Sequence, residues 1–434
     1  MSHEEKYKSK ETKNETVCEI KDEKLELESP PDRFHLTYIL FFFLGLVHFL
    51  PWSFFTTATE FWMYKFRNIS INETNSEHRT YLQAEFNASI NITLQITEVA
   101  FLILGVLFGH LIRVRVRLIG IFSIIFALFV ILCVFVEIDT DSWQEEFFGL
   151  VMVITAGINS MNAVFTITIY TVLANFPQTY LAPYLTGGAI SGITTSSLQI
   201  LTLASGLSVL DSALLYFSLG VGVIGFTLIF IIFTTSQSKF YLYHMRNYVD
   251  GSKEKRVTFK EGFRLLKIIW SPIAAMGFLF VSLDASPTAL VVSEGEGQGP
   301  WYDTYFIPVI TYWLAGVCNL IGRNIAFTFD LNLNNVGWVV LAAVRMVIFV
   351  PLFIFSNAQP RHHLPVLLPH DYQYIIFVIF SNISGSYIMG RTYFTIKKLV
   401  TQDELKDAYH VNMVMIGLQM GVFSCISMIT VNLL

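Results

Sequence analysis

The sequence predicts an all-α membrane protein with eleven transmembrane helices, and three observations carry that prediction. Of the 434 residues, 53% are hydrophobic and 14% charged, with a mean hydropathy of +0.55. That balance belongs to a chain whose solvent is mostly hydrocarbon. Eleven apolar segments follow one another, each long enough at ~1.5 Å per residue to cross a core of roughly 30 Å. The polar stretches between them alternate in character, basic on one side and acidic or sequon-bearing on the other.

Residues 1–33 form a mixed-charge tail ending in Ser29-Pro30-Pro31, predicted to be disordered and cytoplasmic. They carry no apolar run, so no cleaved signal peptide is expected, and the first span would act as an uncleaved signal-anchor. The spans are expected at 36–58, 94–112, 118–137, 147–174, 183–205, 211–235, 267–290, 304–328, 336–357, 374–396 and 410–432. The first contains Leu50-Pro51-Trp52-Ser53-Phe54-Phe55. Pro51 removes a helix hydrogen bond and should kink the segment, and Trp52 sets a large ring beside the kink. An anchoring helix needs neither, whereas a helix lining a cavity can use both.

Orientation follows from two independent signals. The stretch 59–93 carries four acceptor sequons, at Asn68, Asn72, Asn87 and Asn91, which marks it as lumenal or extracellular. Asn14 would then lie in the cytosol and Asn382 within a span, so both should stay unmodified. Arg113, Arg115 and Arg117, the basic loop 236–266, and Lys397-Lys398 follow the second, sixth and tenth spans, while 137–146 is acidic. The N-terminus is therefore expected inside and the C-terminus outside. The long loop 236–266 divides the chain into a six-helix bundle over 34–235 and a five-helix bundle over 267–434. Six plus five is one helix short of the twelve-helix plan in which two halves rock about a central site.

No nucleophile–base pair, phosphate loop or metal-ligand spacing is visible, so no enzyme, cofactor or metal is expected. The small net charge of -5 argues against nucleic acid as a partner. Cys18, Cys133, Cys318 and Cys425 are too scattered for a disulfide framework. What remains is a set of polar groups at membrane depth, which are costly there and point to function. Arg323 follows Asn319 by one helical turn, so the two share a face and can donate to a polar solute. Asp284, just before Pro287, reads equally as a proton or cation site and as a residue at a kinked helix end. Arg345 reads as a structural tie between helices and Arg391 as a side chain reaching to the interface. His48 reads as a packed, hydrogen-bonded residue or a proton site. Gly187 and Gly192 read as helix-packing positions.

These residues resemble the equilibrative nucleoside transporter family. The first span carries Leu50-Pro51-Trp52-Ser53-Phe54-Phe55 where the family has Leu-Pro-Trp-Asn-Phe-Phe. The turn Phe176-Pro-Gln-Thr-Tyr-Leu-Ala-Pro183 is followed by Gly187 and Gly192 at the family's spacing. The eighth span holds Tyr305-Phe-Ile-Pro-Val309 and Gly322-Arg323, and the ninth ends in Phe349-Val-Pro-Leu352. The resemblance implies a major-facilitator-like fold and passive transport of nucleosides or nucleobases by alternating access. It implies a substrate site at Trp52, Thr56, Thr166, Asn319 and Arg323. Three of these depart from the family pattern: Thr56 replaces a frequent Met, Thr166 a Gln that reads the base, and Asn319 an Asp. Two alternatives stand beside this expectation. One is a proton-coupled or cation-selective carrier using Asp284; the other is a transport-inactive relative acting as a receptor or scaffold. A monomer in the plasma membrane is expected, with a lysosomal or other endomembrane location as the alternative.

Overall fold

The computed structural model describes residues 29–69, 80–249, 258–284, 288–359, 361 and 363–433. The side chains of Trp52, Thr56, Asn87 and Asp284, and all of Asn72, lie outside the described residues. Helices dominate: α1 (Leu36–Thr57), α2 (Thr59–Lys65), α3 (Tyr81–Phe108), α4 (Val114–Glu137), α5 (Gln144–Leu173), α6 (Leu181–Ser205) and α7 (Val209–Gln237) come first. Then follow α8 (Lys239–Val249), α9 (Phe259–Ile268), α10 (Trp270–Asp284), α11 (Ala315–Thr328), α12 (Asn335–Ile354), α13 (Asp371–Leu399) and α14 (Gln402–Leu433). Two π-helical stretches, Trp301–Tyr305 and Ile307–Leu314, lead into α11.

Helix ends are set by local chemistry. The Thr80 hydroxyl accepts from Gln83 N while the Gln83 side chain accepts from Thr80 N, a reciprocal cap that starts α3. Gly206, at φ +63°, ends α6 in the left-handed conformation that a glycine adopts without strain. Ser208 and Asn334 cap α7 and α12 through Asp211 N at 3.1 Å and Gly337 N at 2.7 Å.

Among the described residues, seven helices are long and apolar enough to cross a membrane. The count is eight if α9 and α10, bent by 75° at their junction, form one span. The eleven apolar segments fall largely on helix over their described residues, but α6, α13 and α14 fall short of that measure. Two expected boundaries move. The polar stretch 59–93 holds α2 and the first three turns of α3, so Asn87 and Asn91 lie on a helix rather than a loop. Hydropathy marks where a helix enters the bilayer, not where it begins. The linker 236–266 likewise contains α8 and α9.

Packing joins α1 to α6 and α7, α3 to α5, and α4 to α5 and α7. Farther along, α10 packs on α12, α13 and α14, and α11 on α13. The two sets meet where α6 touches α11 and where α3 and α5 touch α14. Glycines set the closest approaches. A Cβ on Gly45 would run into the Tyr184 carbonyl, and one on Gly187 into the Phe42 carbonyl, so α1 and α6 touch backbone to backbone. Gly192, expected to pack, has open space where a Cβ would lie and instead faces a cavity. Gly322 plays the packing role between α11 and α13, against the Ile383 carbonyl. Near the α1–α2 junction, Trp62, Phe66, Phe86 and Phe147 form a buried aromatic cap. Lys65 Nζ donates to Ile138 O at 2.7 Å beneath it.

Gly187→Val is expected to lower stability by about 1–3 kcal/mol, because a rigid carbonyl cannot yield to the new side chain. A drop in the melting temperature of the detergent-solubilised protein checks this, with Gly192→Ala as the variant that leaves it unchanged.

Candidate functional site

A cavity of about 740 Å³ lies between α1, α6 and α7 on one side and the π-helical stretch, α11 and α13 on the other. Its size falls within the roughly 300–1,000 Å³ usual for small-molecule sites. The exposed residues Glu60, Gly206 and Leu207 belong to its lining at one end, which reads as its mouth. The lining carries hydroxyls and amides from Ser53, Thr195, Ser196, Gln199, Ser212, Tyr216, Thr311, Tyr312, Asn319 and Asn382. Glu60, exposed at the mouth, is the one charged side chain in this lining among the described residues.

Asn319 sits on the cavity wall as its spacing suggested. Its Oδ1 accepts from the Ser386 hydroxyl at 2.6 Å, which orients its NH2 group toward the open space. One turn deeper, Arg323 lies outside the lining, beside Gly188 of α6. Its Nη1 donates to the Leu185 carbonyl of α6, and its buried Nε has no partner. Tyr170, Tyr184 and Tyr393 surround the guanidinium, and no carboxylate pairs with it among the described residues. Tyr170 stacks on Tyr393 with centroids 5.5 Å apart and meets Tyr409 at 5.4 Å. This buried tyrosine cluster joins α5 and α6 to α13 and α14 below the cavity.

Thr166 lies outside the cavity lining. Its hydroxyl donates to the Asn162 carbonyl at 3.0 Å, so its one proton is engaged. His48 Nε2–H then donates to Thr166 Oγ1 at 2.9 Å, and the Tyr184 hydroxyl donates to Nδ1 at 2.5 Å. Those bonds make His48 the packed, hydrogen-bonded residue of its two readings. Trp52 and Thr56 belong to α1, which reaches the cavity through Ser53 and Ala58. Their side chains, like that of Asp284, are outside the described residues.

Two other arginines are committed elsewhere. Arg345 is buried and ties three helices together, from α12 to Ser282 of α10 and to Ser381 and Ser384 of α13. Arg391 does not reach to the interface as expected: it is 8% exposed, ion-paired with Asp330 and bonded to the Ala326 carbonyl. An acidic partner in the α11–α12 turn makes burial cheaper than extension. Sequence reasoning missed the tyrosine cluster and Gln199. A signal for the latter was present: Gly192, Thr195, Ser196 and Gln199 recur at helical spacing.

A polar, solute-sized cavity inside an apolar helical protein is what a membrane carrier requires. The chain belongs to the nucleoside transporter family: the model described as "Nucleoside transporter" matches residues 152–261 and 250–430. It is 28% identical over 426 residues to equilibrative nucleoside transporter 3 of Rattus norvegicus, covering 91% of this chain and 89% of that protein. It is 25% identical over 408 residues to equilibrative nucleoside transporter 1 of Homo sapiens, covering 83% and 89%. With equilibrative nucleoside transporter 2 of Homo sapiens it shares 24% over 420 residues, covering 84% and 90%.

Arg345→Ala is expected to destabilise the protein by about 1.5–3 kcal/mol, since buried serine hydroxyls lose a charged partner. Because Arg345 is away from the cavity lining, ligand protection against heat should persist in the variant, and a thermal-shift series with and without nucleoside checks both parts.

Proposed function

We propose that the protein is a facilitative carrier of nucleosides, with nucleobases as related cargo, working by alternating access. The observation that carries this reading is the cavity itself, lined with hydroxyls and amides, with the Arg323 guanidinium one helical turn beyond Asn319. A neutral, planar, hydroxyl-rich solute suits such a lining. Asn319 and Arg323 would hold the sugar, and Trp52 and Thr56 of α1 would pack the base. Thr166 would contribute through His48 and Tyr184 rather than by contact. The family relatives favour this reading over a proton- or cation-coupled carrier using Asp284 and over a receptor or scaffold.

The mechanism follows from what must break. In this reading the cavity would open beside the sequon-bearing segment, with Arg323 and the tyrosines closing the path below it. Opening the other side would part Arg323 from the Leu185 carbonyl and Tyr170 from Tyr393. A solute that draws Arg323 upward would compete with the Leu185 contact and so favour that change. Eleven crossings are proposed, six before the 236–266 segment and five after, with the N-terminus cytoplasmic and the C-terminus outside. The two sets of packed helices support that division. The sequon pattern supports the orientation and passage through the secretory pathway, with glycans at Asn68, Asn72, Asn87 and Asn91; the plasma membrane is the proposed location, with a lysosomal or other endomembrane site as the alternative.

Reconstituted vesicles are expected to take up labelled uridine and adenosine until inside and outside concentrations are equal, with no dependence on a proton gradient. Arg323→Ala should slow uptake about tenfold or more, the equivalent of ~1.4 kcal/mol from one charge-assisted hydrogen bond. Uptake no faster than in empty vesicles, across several nucleosides and nucleobases, would sink the reading. For topology, Asn68→Gln is expected to remove one glycosidase-sensitive step in mobility, and an epitope at the N-terminus should be stained only after permeabilisation.

A further inference from the structure

The family pattern places a base-reading amide on the fourth span, where this chain has Thr166, and that hydroxyl is engaged by Asn162 and His48. The cavity nevertheless contains an amide suited to the task, one helix away. Gly192, Thr195, Ser196, Gln199 and Thr202 recur at steps of three and four, so one face of α6 looks into the cavity. The hydroxyls on that face are turned back on their own helix. Thr195 donates to the Ser191 carbonyl and Ser196 to the Gly192 carbonyl, each at 2.9 Å. Thr202 donates to the Gln199 carbonyl at 2.9 Å and meets the Tyr216 hydroxyl at 2.6 Å.

The Gln199 side chain makes no such bond. Asn319 has its oxygen engaged by Ser386, and Asn382 has its NH2 engaged by the Val378 carbonyl. Gln199 is thus the one amide among the described cavity residues whose donor and acceptor are both available. We propose that Gln199 reads the base of the transported nucleoside, pairing through its C=O and NH2 with an adjacent donor and acceptor on the base edge. This rests on the carrier reading above.

The placement fits. A Cβ on Gly316 would pack against Ile193, so Asn319, one turn deeper, lies near the level of Gly188–Gly192. Gln199 is seven residues beyond Gly192, a rise of ~10 Å along α6, and its side chain leans back toward the floor. A sugar held at Asn319 and Arg323 would therefore carry its base up to Gln199. A planar amide matches a base edge in two parallel hydrogen bonds, and such a pair discriminates by about fivefold to a hundredfold.

The test compares uptake of uridine with that of 3-methyluridine, whose base edge has lost its N–H donor, in the same reconstituted vesicles. Wild type should prefer uridine at least fivefold. Gln199→Leu and Gln199→Met should bring the ratio to within twofold, while Thr166→Val keeps the preference whatever its rate. For a variant too slow to assay, protection against thermal unfolding by each compound gives the same ratio. A preference retained in both Gln199 variants overturns the assignment while leaving the carrier reading intact. Wild-type vesicles that take up neither compound overturn the carrier reading and the assignment with it.

Discussion

In hydrocarbon no water is available to a polar group, so each one must find its partner inside the protein. That constraint organises this molecule. Serine and threonine hydroxyls along α5, α6 and α13 bond the carbonyl one turn back on their own helices, as Thr168, Thr171, Thr195, Ser196 and Thr392 do. Backbones touch at Gly45 and Gly187, where any side chain would intervene. Among the residues lining the cavity, Gln199, Asn319 and Asn382 keep amide groups that these bonds leave unengaged.

Arg323, Arg345 and Arg391 show the same rule with different outcomes. Arg345 is held by serines of two neighbouring helices, and Arg391 by a carboxylate and a carbonyl. Each is a fixed strut. Arg323 has one carbonyl, an unpartnered Nε and a surround of tyrosines. Among the described residues Arg323 lacks the carboxylate or hydroxyl partners of the other two, and its one backbone contact crosses between the two sets of helices. In the proposed mechanism binding and closure share that residue. The family relationship shows what kind of protein this is, and the uneven satisfaction of its polar groups motivates the proposed site.

Much of this was legible in the amino-acid order. Apolar length marked seven or eight helices that could cross a membrane, and the one-turn spacing of Asn319 and Arg323 put both on α11. Hydropathy could not show that α3 starts at Tyr81, because a capped polar helix and a loop have the same composition. Arg391 was misjudged because its partner, Asp330, lies 61 residues away in sequence. Thr166 looked like a contact residue until its hydroxyl was seen to be engaged by Asn162 and His48. Gln199 escaped notice because availability is a property of the whole hydrogen-bond network, not of a residue type. Gly192 matched a packing pattern, yet what it leaves is space.

The central claim is that the cavity above Arg323 is the solute's path, entered from the side of the sequon-bearing segment. The most direct measurement uses a single cysteine at Ala315, which lines that cavity, in a background lacking the four native cysteines. Intact cells are treated with a membrane-impermeant thiol reagent. The account predicts labelling from outside, slowed severalfold by saturating uridine. Labelling that occurs only after permeabilisation, or that proceeds equally fast with uridine present, would contradict it.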